Sequence, residues 1–266
     1  RNMESDPNYI VGREFQKTIY GDHARRQITS ASQIEAINIP SLQAIHSKLF
    51  GYADDFRFVI VGNVDLNTLK PLVEKYIGSL PTSKKVEYAV VDDGVRFAEG
   101  NVVNDFRTAM QQPKVSVRLV YTGDMEYNAK NRLIVDLLSR ALDSRYMISI
   151  REEKGGTYGV SVQGGIDEYP VEKYMMAIVF DTNEQLADEL VEICDKEIKK
   201  IAEEGPLADD VAKSKEFLQK NYNNVLENNG GWMSAITRWY EEGYNYKEEY
   251  LGVLESVTLD DVKAFA

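Results

Sequence analysis

Histidine and cysteine, which anchor most metal and nucleophilic chemistry, are nearly missing from this chain. Its 266 residues include two histidines, His23 and His46, and one cysteine, Cys194. One cysteine excludes an internal disulfide. Its place in an apolar helical stripe predicts a buried structural thiol rather than a reactive one. Neither histidine belongs to a His-Glu-x-x-His pattern or to its inverse, His-x-x-Glu-His, so no helical zinc site is expected. Two distant histidines and one cysteine cannot close a structural zinc site either, and each histidine reads as an ordinary surface or core residue. The chain also lacks a Gly-x-Ser-x-Gly nucleophile elbow. Gly155-Gly156 precedes a predicted strand, whereas a phosphate cradle should open a helix.

Positive charge is in deficit. Thirty-one Lys and Arg stand against 43 Asp and Glu, for a formal charge of −12. Phosphate neutralisation needs clustered cations, so nucleic acid is an unsuitable partner; the nearest cluster, His23-Ala24-Arg25-Arg26, is short and isolated. Acidic pairs such as Glu152-Glu153 and Glu203-Glu204 read as solvated faces. No apolar run approaches the roughly 18 residues that span a bilayer. The chain opens at Arg1 rather than Met, so it is expected to be a piece of a longer protein, which leaves its compartment open.

What is present is enough apolar residue, 43%, for a sizeable core. Leu42, Ile45 and Leu49 recur at helical spacing after Pro40. Phe56–Gly62 reads as a buried strand. Asn63 and Asp65 then supply turn and N-cap chemistry for a helix marked by Leu66, Leu69, Leu72, Val73 and Tyr76, which Gly78 and Pro81 end. Residues 82–112 read as a connecting segment with some extended structure. A second unit follows: a strand over Lys114–Thr122, a helix facing inward through Ile134, Leu137, Leu138, Ala141 and Leu142, and strands over Tyr158–Val162 and Tyr174–Phe180. A long helix through Leu186, Leu190, Cys194 and Ile201 breaks at Gly205-Pro206. Leu207, Val211, Ser214, Leu218 and Tyr222 start the next helix, and the aromatic stretch from Trp232 to Tyr250 is expected to be helical. A faint repeat places Ile60-Val61 and Leu72-Val73-Glu74 at one offset from Ile178-Val179 and Leu190-Val191-Glu192; duplication and the general likeness of strand–helix units explain it equally well. The order of elements predicts an α+β fold with helices layered on an antiparallel sheet. The expected domains are 1–81, the end of a first and incomplete domain, and 113–266, with 82–112 between them.

The stretch Arg151-Glu152-Glu153-Lys154-Gly155-Gly156-Thr157-Tyr158-Gly159-Val160 puts a cation at a helix end, a paired-glycine turn, and a tyrosine opening the next strand. It resembles the Arg-x6-Tyr element in the second half of pitrilysin/insulinase-family metallopeptidases. Phe58-Val59-Ile60-Val61-Gly62-Asn63-Val64-Asp65 and Tyr76-Ile77-Gly78-Ser79-Leu80-Pro81 are similar to that family's strand–Gly–Asn/Asp–helix signature. The two motifs lie in the family's order and cover the chain from roughly Tyr20 onward.

The resemblance implies the following. Related α+β domains form two halves that close around unfolded or short peptides. The N-terminal half holds zinc, and the C-terminal half contributes the Arg and Tyr that reach substrate near the scissile bond. Carried onto this chain, Tyr158 is the catalytic candidate, Arg151 and Tyr158 are the substrate-binding candidates, and no residue binds metal. Zinc is expected in the N-terminal half of the parent protein or in a partner subunit. The chain alone is expected to hydrolyse nothing, and its exposed apolar edges favour self-association. The implied function is the substrate-binding, non-zinc-binding half of a zinc metalloendopeptidase. The alternative is a non-catalytic peptide-binding or scaffold subunit beside a separate zinc-bearing one. A plainer view of the two candidates also exists: Tyr158 packs at a strand start and Arg151 makes a surface ion pair.

Overall fold

The computed structural model describes residues 2–83 and 90–266. The part of the expected connecting segment over 84–89 lies outside the described residues. The chain divides into two compact units, Arg1–Gln111 and Gln112–Ala266.

The first unit is helical. Helix α1 spans Pro7–Tyr20, with Pro7 in its first turn and the Asp6 side chain accepting from the Asn8 backbone N–H as N-cap. These are two start signals in adjacent residues, in a segment whose weak periodicity gives no hint of a helix. Helix α2, Ala31–Glu35, opens with a capping box between Ser30 and Gln33. Helix α3, Ile39–Phe50, and helix α4, Leu66–Tyr76, occupy the expected places, and Asp65 caps α4 through Thr68.

The expected strand over Phe56–Gly62 does not form. These residues are without regular structure, and Phe58 and Ile60 are each 47% exposed. A strand is completed by a neighbour that accepts its ladder of hydrogen bonds, and the described residues of this unit contain no strand to pair with it. The apolar stripe Leu42, Ile45 and Leu49 of α3 is about half exposed.

The second unit is α+β, as the sequence predicts. Strand β1 spans Val115–Asp124, β2 Val160–Asp167 and β3 Lys173–Thr182. They form an antiparallel sheet in the order β1-β3-β2, with Leu119 opposite Ile178 and Val162 also opposite Ile178. Helices α5 (Ala129–Tyr146), α6 (Ala187–Glu204), α7 (Ala208–Leu226), α8 (Asn229–Glu242), α9 (Tyr246–Ser256) and α10 (Leu259–Phe265) complete it.

Alternation along β3 decides which sheet face is covered. Met176, Ile178 and Phe180 are buried and join Leu137, Leu138 and Leu142 of α5, Leu190 and Cys194 of α6, Leu218, Leu254 and Val262 in one core. Ser116, Arg118, Ser161, Gln163 and Asp181 on the other face are exposed. Burying side chains of Leu or Ile size contributes about 1.5–3 kcal/mol each, so the shared core of sheet and helices holds this unit together.

Two buried hydroxyls inside it are satisfied locally, whereas Asp210 Oδ2 is buried without a hydrogen-bond partner among the described residues. The Tyr146 hydroxyl donates to the Cys194 carbonyl at 3.0 Å, and the Ser139 hydroxyl donates to the Val135 carbonyl at 2.8 Å. Cys194 is fully buried, as its stripe predicts, and burial, then the nearby Asp195 carboxylate, pushes its thiol up to about 12. A thiol so placed is a packing residue.

Candidate functional site

Arg151 and Tyr158 stand on either side of a single reversal of the chain. Helix α5 runs on into a wider π-helical turn, Met147–Glu152, anchored by the fully buried Ile150. That turn closes with Glu153 N–H donating to the Ile148 carbonyl at 3.0 Å and Gly155 N–H donating to the Arg151 carbonyl at 3.0 Å. Gly155 has φ +59°, a left-handed conformation that side chains with a Cβ rarely adopt. Gly156 is needed for a different reason. It is buried against α6, where a Cβ would sit 2.8 Å from Leu186 Cδ1 and 3.2 Å from Leu190 Cδ1.

Two further ties hold the reversal. The Thr182 hydroxyl donates to the Gly156 carbonyl at 2.5 Å, both groups being buried. Lys154 Nζ pairs with Glu189 Oε1 at 2.6 Å, an exposed contact that contributes little alone. Thr157 and Gly159 then bond to each other through the threonine hydroxyl, and β2 begins at Val160. Tyr158 is therefore two residues outside the strand that the sequence has it open.

The side chains displayed by this anchored backbone are free. Tyr158 is 97% exposed and makes no hydrogen bond among the described residues. Arg151 is exposed, and its one close polar contact is to the Met147 sulfur at 3.1 Å; it makes no ion pair among the described residues. Packing at a strand start and a surface ion pair are both absent, so the plainer view of these two residues has no contact to rest on.

Beside Tyr158 lies a shallow depression of about 360 Å³ lined by Gly155, Gly156, Thr157, Tyr158, Asp181 and Thr182. Burial alone would raise the Asp181 pKa, but hydrogen bonds from Lys114 Nζ and Ser116 Oγ, each 2.6 Å, outweigh it and hold the carboxyl below its ordinary range. Its charge is thus already engaged. The sequence singled out Arg151 and Tyr158 as candidates and the glycine pair as the turn between them, and the structure places all four at this one reversal. Sequence reasoning missed Thr182, which lies two residues beyond the expected end of the last strand and carries no signal of its own.

Zinc does not fit the donors among the described residues. His23 Nδ1 accepts from the Arg25 backbone N–H, and its Nε2 lies 3.2 Å from the Asp93 carbonyl oxygen. The His46 ring packs on Phe50 with centroids 5.1 Å apart, and Cys194 is enclosed in the core of the second unit. Among the described residues, no three His, Cys, Asp or Glu side chains gather as a metal-binding group. No helix there is long and apolar enough to cross a membrane.

Comparison with known proteins identifies the family and the fold. A family model described as the peptidase M16 inactive domain matches residues 36–218. A protein of Arabidopsis thaliana named zinc protease PQQL-like is 22% identical over 253 residues, which is 91% of this chain and 26% of that protein. The crystal structure of the periplasmic protease PqqL from Escherichia coli superposes with a TM-score of 0.82 at 20% identity, over 98% of this chain and 29% of the other. That of a peptidase M16 inactive domain from Pseudomonas fluorescens gives 0.74 at 17% identity, over 99% and 63%. The chain thus spans about a quarter of the length of the Arabidopsis relative. The M16 peptidases are the pitrilysin/insulinase type whose motifs the sequence resembles, and this chain belongs to their family through its inactive domain.

Proposed function

We propose that this chain is the substrate-holding, non-zinc-binding part of a zinc metalloendopeptidase that acts on peptides or unfolded polypeptides. Zinc is carried by another half of the same protein or by a partner subunit. In this reading, residues up to about Pro81 end one peptidase-like domain and 113–266 make up most of the next. The observation that carries the proposal is a pair of exposed side chains, Arg151 without an ion pair and Tyr158 without a hydrogen bond among the described residues, on a backbone tied to the core at Ile150, Gly156 and Thr182. A rigid base with free donor groups at its tip is what substrate recognition requires.

The roles follow from the groups. The Tyr158 phenol is a neutral O–H donor. A substrate carbonyl gains negative charge on its oxygen as it becomes tetrahedral, and a hydrogen bond to that oxygen strengthens as the charge grows. Arg151 is a permanent cation with five N–H donors. Aimed at peptide carbonyls, it holds substrate in the ground state and holds it more strongly as a carbonyl oxygen gains charge in the transition state.

The alternative, a peptide-holding subunit with no part in catalysis, shares the binding role and differs only in turnover. In the parent peptidase, or in this chain reassembled with its zinc-bearing partner, Arg151→Ala should raise KM and lower kcat, because it acts before and during reaction. A rise in KM at unchanged kcat would favour the purely binding role. No change in either would remove Arg151 from the site.

A further inference from the structure

The geometry points to Thr182 as the positioning residue that sets where Tyr158 stands, an inference that rests on the substrate-holding role proposed above. Thr182 is the last residue of β3, and its backbone is fixed by the ladder, opposite Val115 of β1. Its side chain is on the core side of the sheet, with Phe180 and Ile178, while Asp181 faces outward and is exposed. A β-branched side chain on a strand has little freedom at χ1, so the Thr182 hydroxyl is a fixed point. It donates to the Gly156 carbonyl at 2.5 Å. Gly156 is two residues from Tyr158, and no other side chain among the described residues bonds its carbonyl.

Around that bond there is little slack. Gly156 packs against Leu186 and Leu190, whose Cδ1 atoms would lie 2.8 Å and 3.2 Å from a Cβ, so the leucines would have to shift for it to settle deeper. Gly155 on one side is left-handed, and Thr157 and Gly159 on the other bond only to each other. Among the described residues, the one side-chain hydrogen bond from the sheet to the segment displaying Tyr158 is therefore that of the threonine hydroxyl. Losing it leaves a buried carbonyl without a partner, and that carbonyl regains one only by turning the peptide toward water. Such a turn carries Tyr158 with it. Misplacing a reacting group by about 1 Å costs on the order of a hundredfold in rate.

The test uses the zinc-bearing parent or reassembled pair and four variants. Thr182→Val keeps shape and strand preference but deletes the donor, and should lower kcat/KM by about tenfold to a hundredfold. Thr182→Ser restores the hydroxyl and should recover activity to within about threefold of the parent. Tyr146→Phe deletes another buried hydroxyl-to-carbonyl bond, that to Cys194, and should lower thermal stability while leaving kcat/KM unchanged. In a Tyr158→Phe background the Thr182→Val penalty should shrink to about twofold, since the group being positioned is gone.

A readout independent of turnover is the resonance of a fluorotyrosine placed at position 158. It should shift or broaden in Thr182→Val, return in Thr182→Ser and stay put in Tyr146→Phe. Equal losses of activity in Thr182→Val and Tyr146→Phe, or a full Thr182→Val penalty in the Tyr158→Phe background, would overturn the positioning role. So would an unmoved fluorine signal. If the fluorine signal moves as expected but Tyr158→Phe costs no activity, positioning stands and the catalytic reading beneath it fails.

Discussion

Gly164→Ala is the perturbation whose cost the structure constrains most tightly. Gly164 is in β2, where α5 crosses close above it. A Cβ at this position would lie 2.5 Å from Ser139 Oγ and 2.6 Å from Val135 Cγ1, whereas comfortable contacts between such atoms are about 3.5–4.0 Å. Neither neighbour can swing away. Val135 is fully buried, Ser139 is 4% exposed, and the serine hydroxyl is tied to the Val135 carbonyl at 2.8 Å.

The helix must therefore rise from the sheet by about 1 Å, loosening Leu138 and Leu142 from Ile178 as well. Overpacking of this kind costs about 1–3 kcal/mol. Replacing glycine stiffens the unfolded chain, which offsets about 0.5–1 kcal/mol. The net loss should be about 0–2.5 kcal/mol, centred near 1, and in a unit of this size each kcal/mol lowers Tm by about 2–4 °C. Thermal unfolding followed by circular dichroism, with urea titration beside it, reads both quantities. Adding Ser139→Ala removes one of the two clashes and should return part of the loss, so the double variant should be less destabilised than the sum of the singles. A Gly164→Ala protein more stable than the parent would refute the close α5–β2 approach.

Two further outcomes follow from buried and capping groups. Cys194 should resist a disulfide-exchange reagent at pH 8 in the folded protein and react fully once unfolded, because burial withholds access and pushes the thiol up to about 12; prompt native labelling would contradict its place in the core. Asp261 accepts from the Thr258 backbone N–H, from Lys130 at 2.9 Å and from the Thr258 hydroxyl, and these lower its pKa from 3.8 to about 2. A depressed folded-state pKa contributes stability that is present above pH 3.8 and lost as pH falls through about 2. Asp261→Asn should therefore lower stability at neutral pH and flatten the decline between pH 4 and 2, measured by denaturant titration across that range; an unchanged acid profile would remove Asp261 from the set of stabilising carboxylates.

The second unit was legible because each of its elements has a local partner. The helical stripe Ile134, Leu137, Leu138, Ala141 and Leu142 falls on the buried face of α5, and the expected strands reappear with their bounds moved by one to five residues. The two-residue shift at the start of β2, to Val160, has a plain cause: Tyr158 is β-prone, but its backbone and that of Gly159 follow the glycine turn rather than the ladder.

In the first unit, reading by periodicity failed in opposite directions. It missed α1, whose start was written in Asp6-Pro7, and α2, whose Ser30 and Gln33 form a capping box. Cap chemistry, not apolar spacing, was the informative signal there. It also made a strand of Phe56–Gly62, because β-branched and aromatic residues state a preference that only a neighbouring strand can satisfy.

At the candidate site, residues 151–160 disclosed the turn and its two displayed side chains. Thr182 could not be found that way, because its partnership with Gly156 joins positions far apart in sequence through the end of a folded sheet.

The most direct test of the central claim is the turnover of Tyr158→Phe in the zinc-bearing parent or reassembled pair. The change removes one oxygen from a side chain that is 97% exposed and without an internal partner, so fold, zinc content and peptide affinity should be those of the parent. Loss of one donor to the developing oxyanion should lower kcat by on the order of a hundredfold, about 3 kcal/mol, with KM little changed. A kcat/KM within about twofold of the parent would show that the Tyr158 hydroxyl takes no part in the reaction.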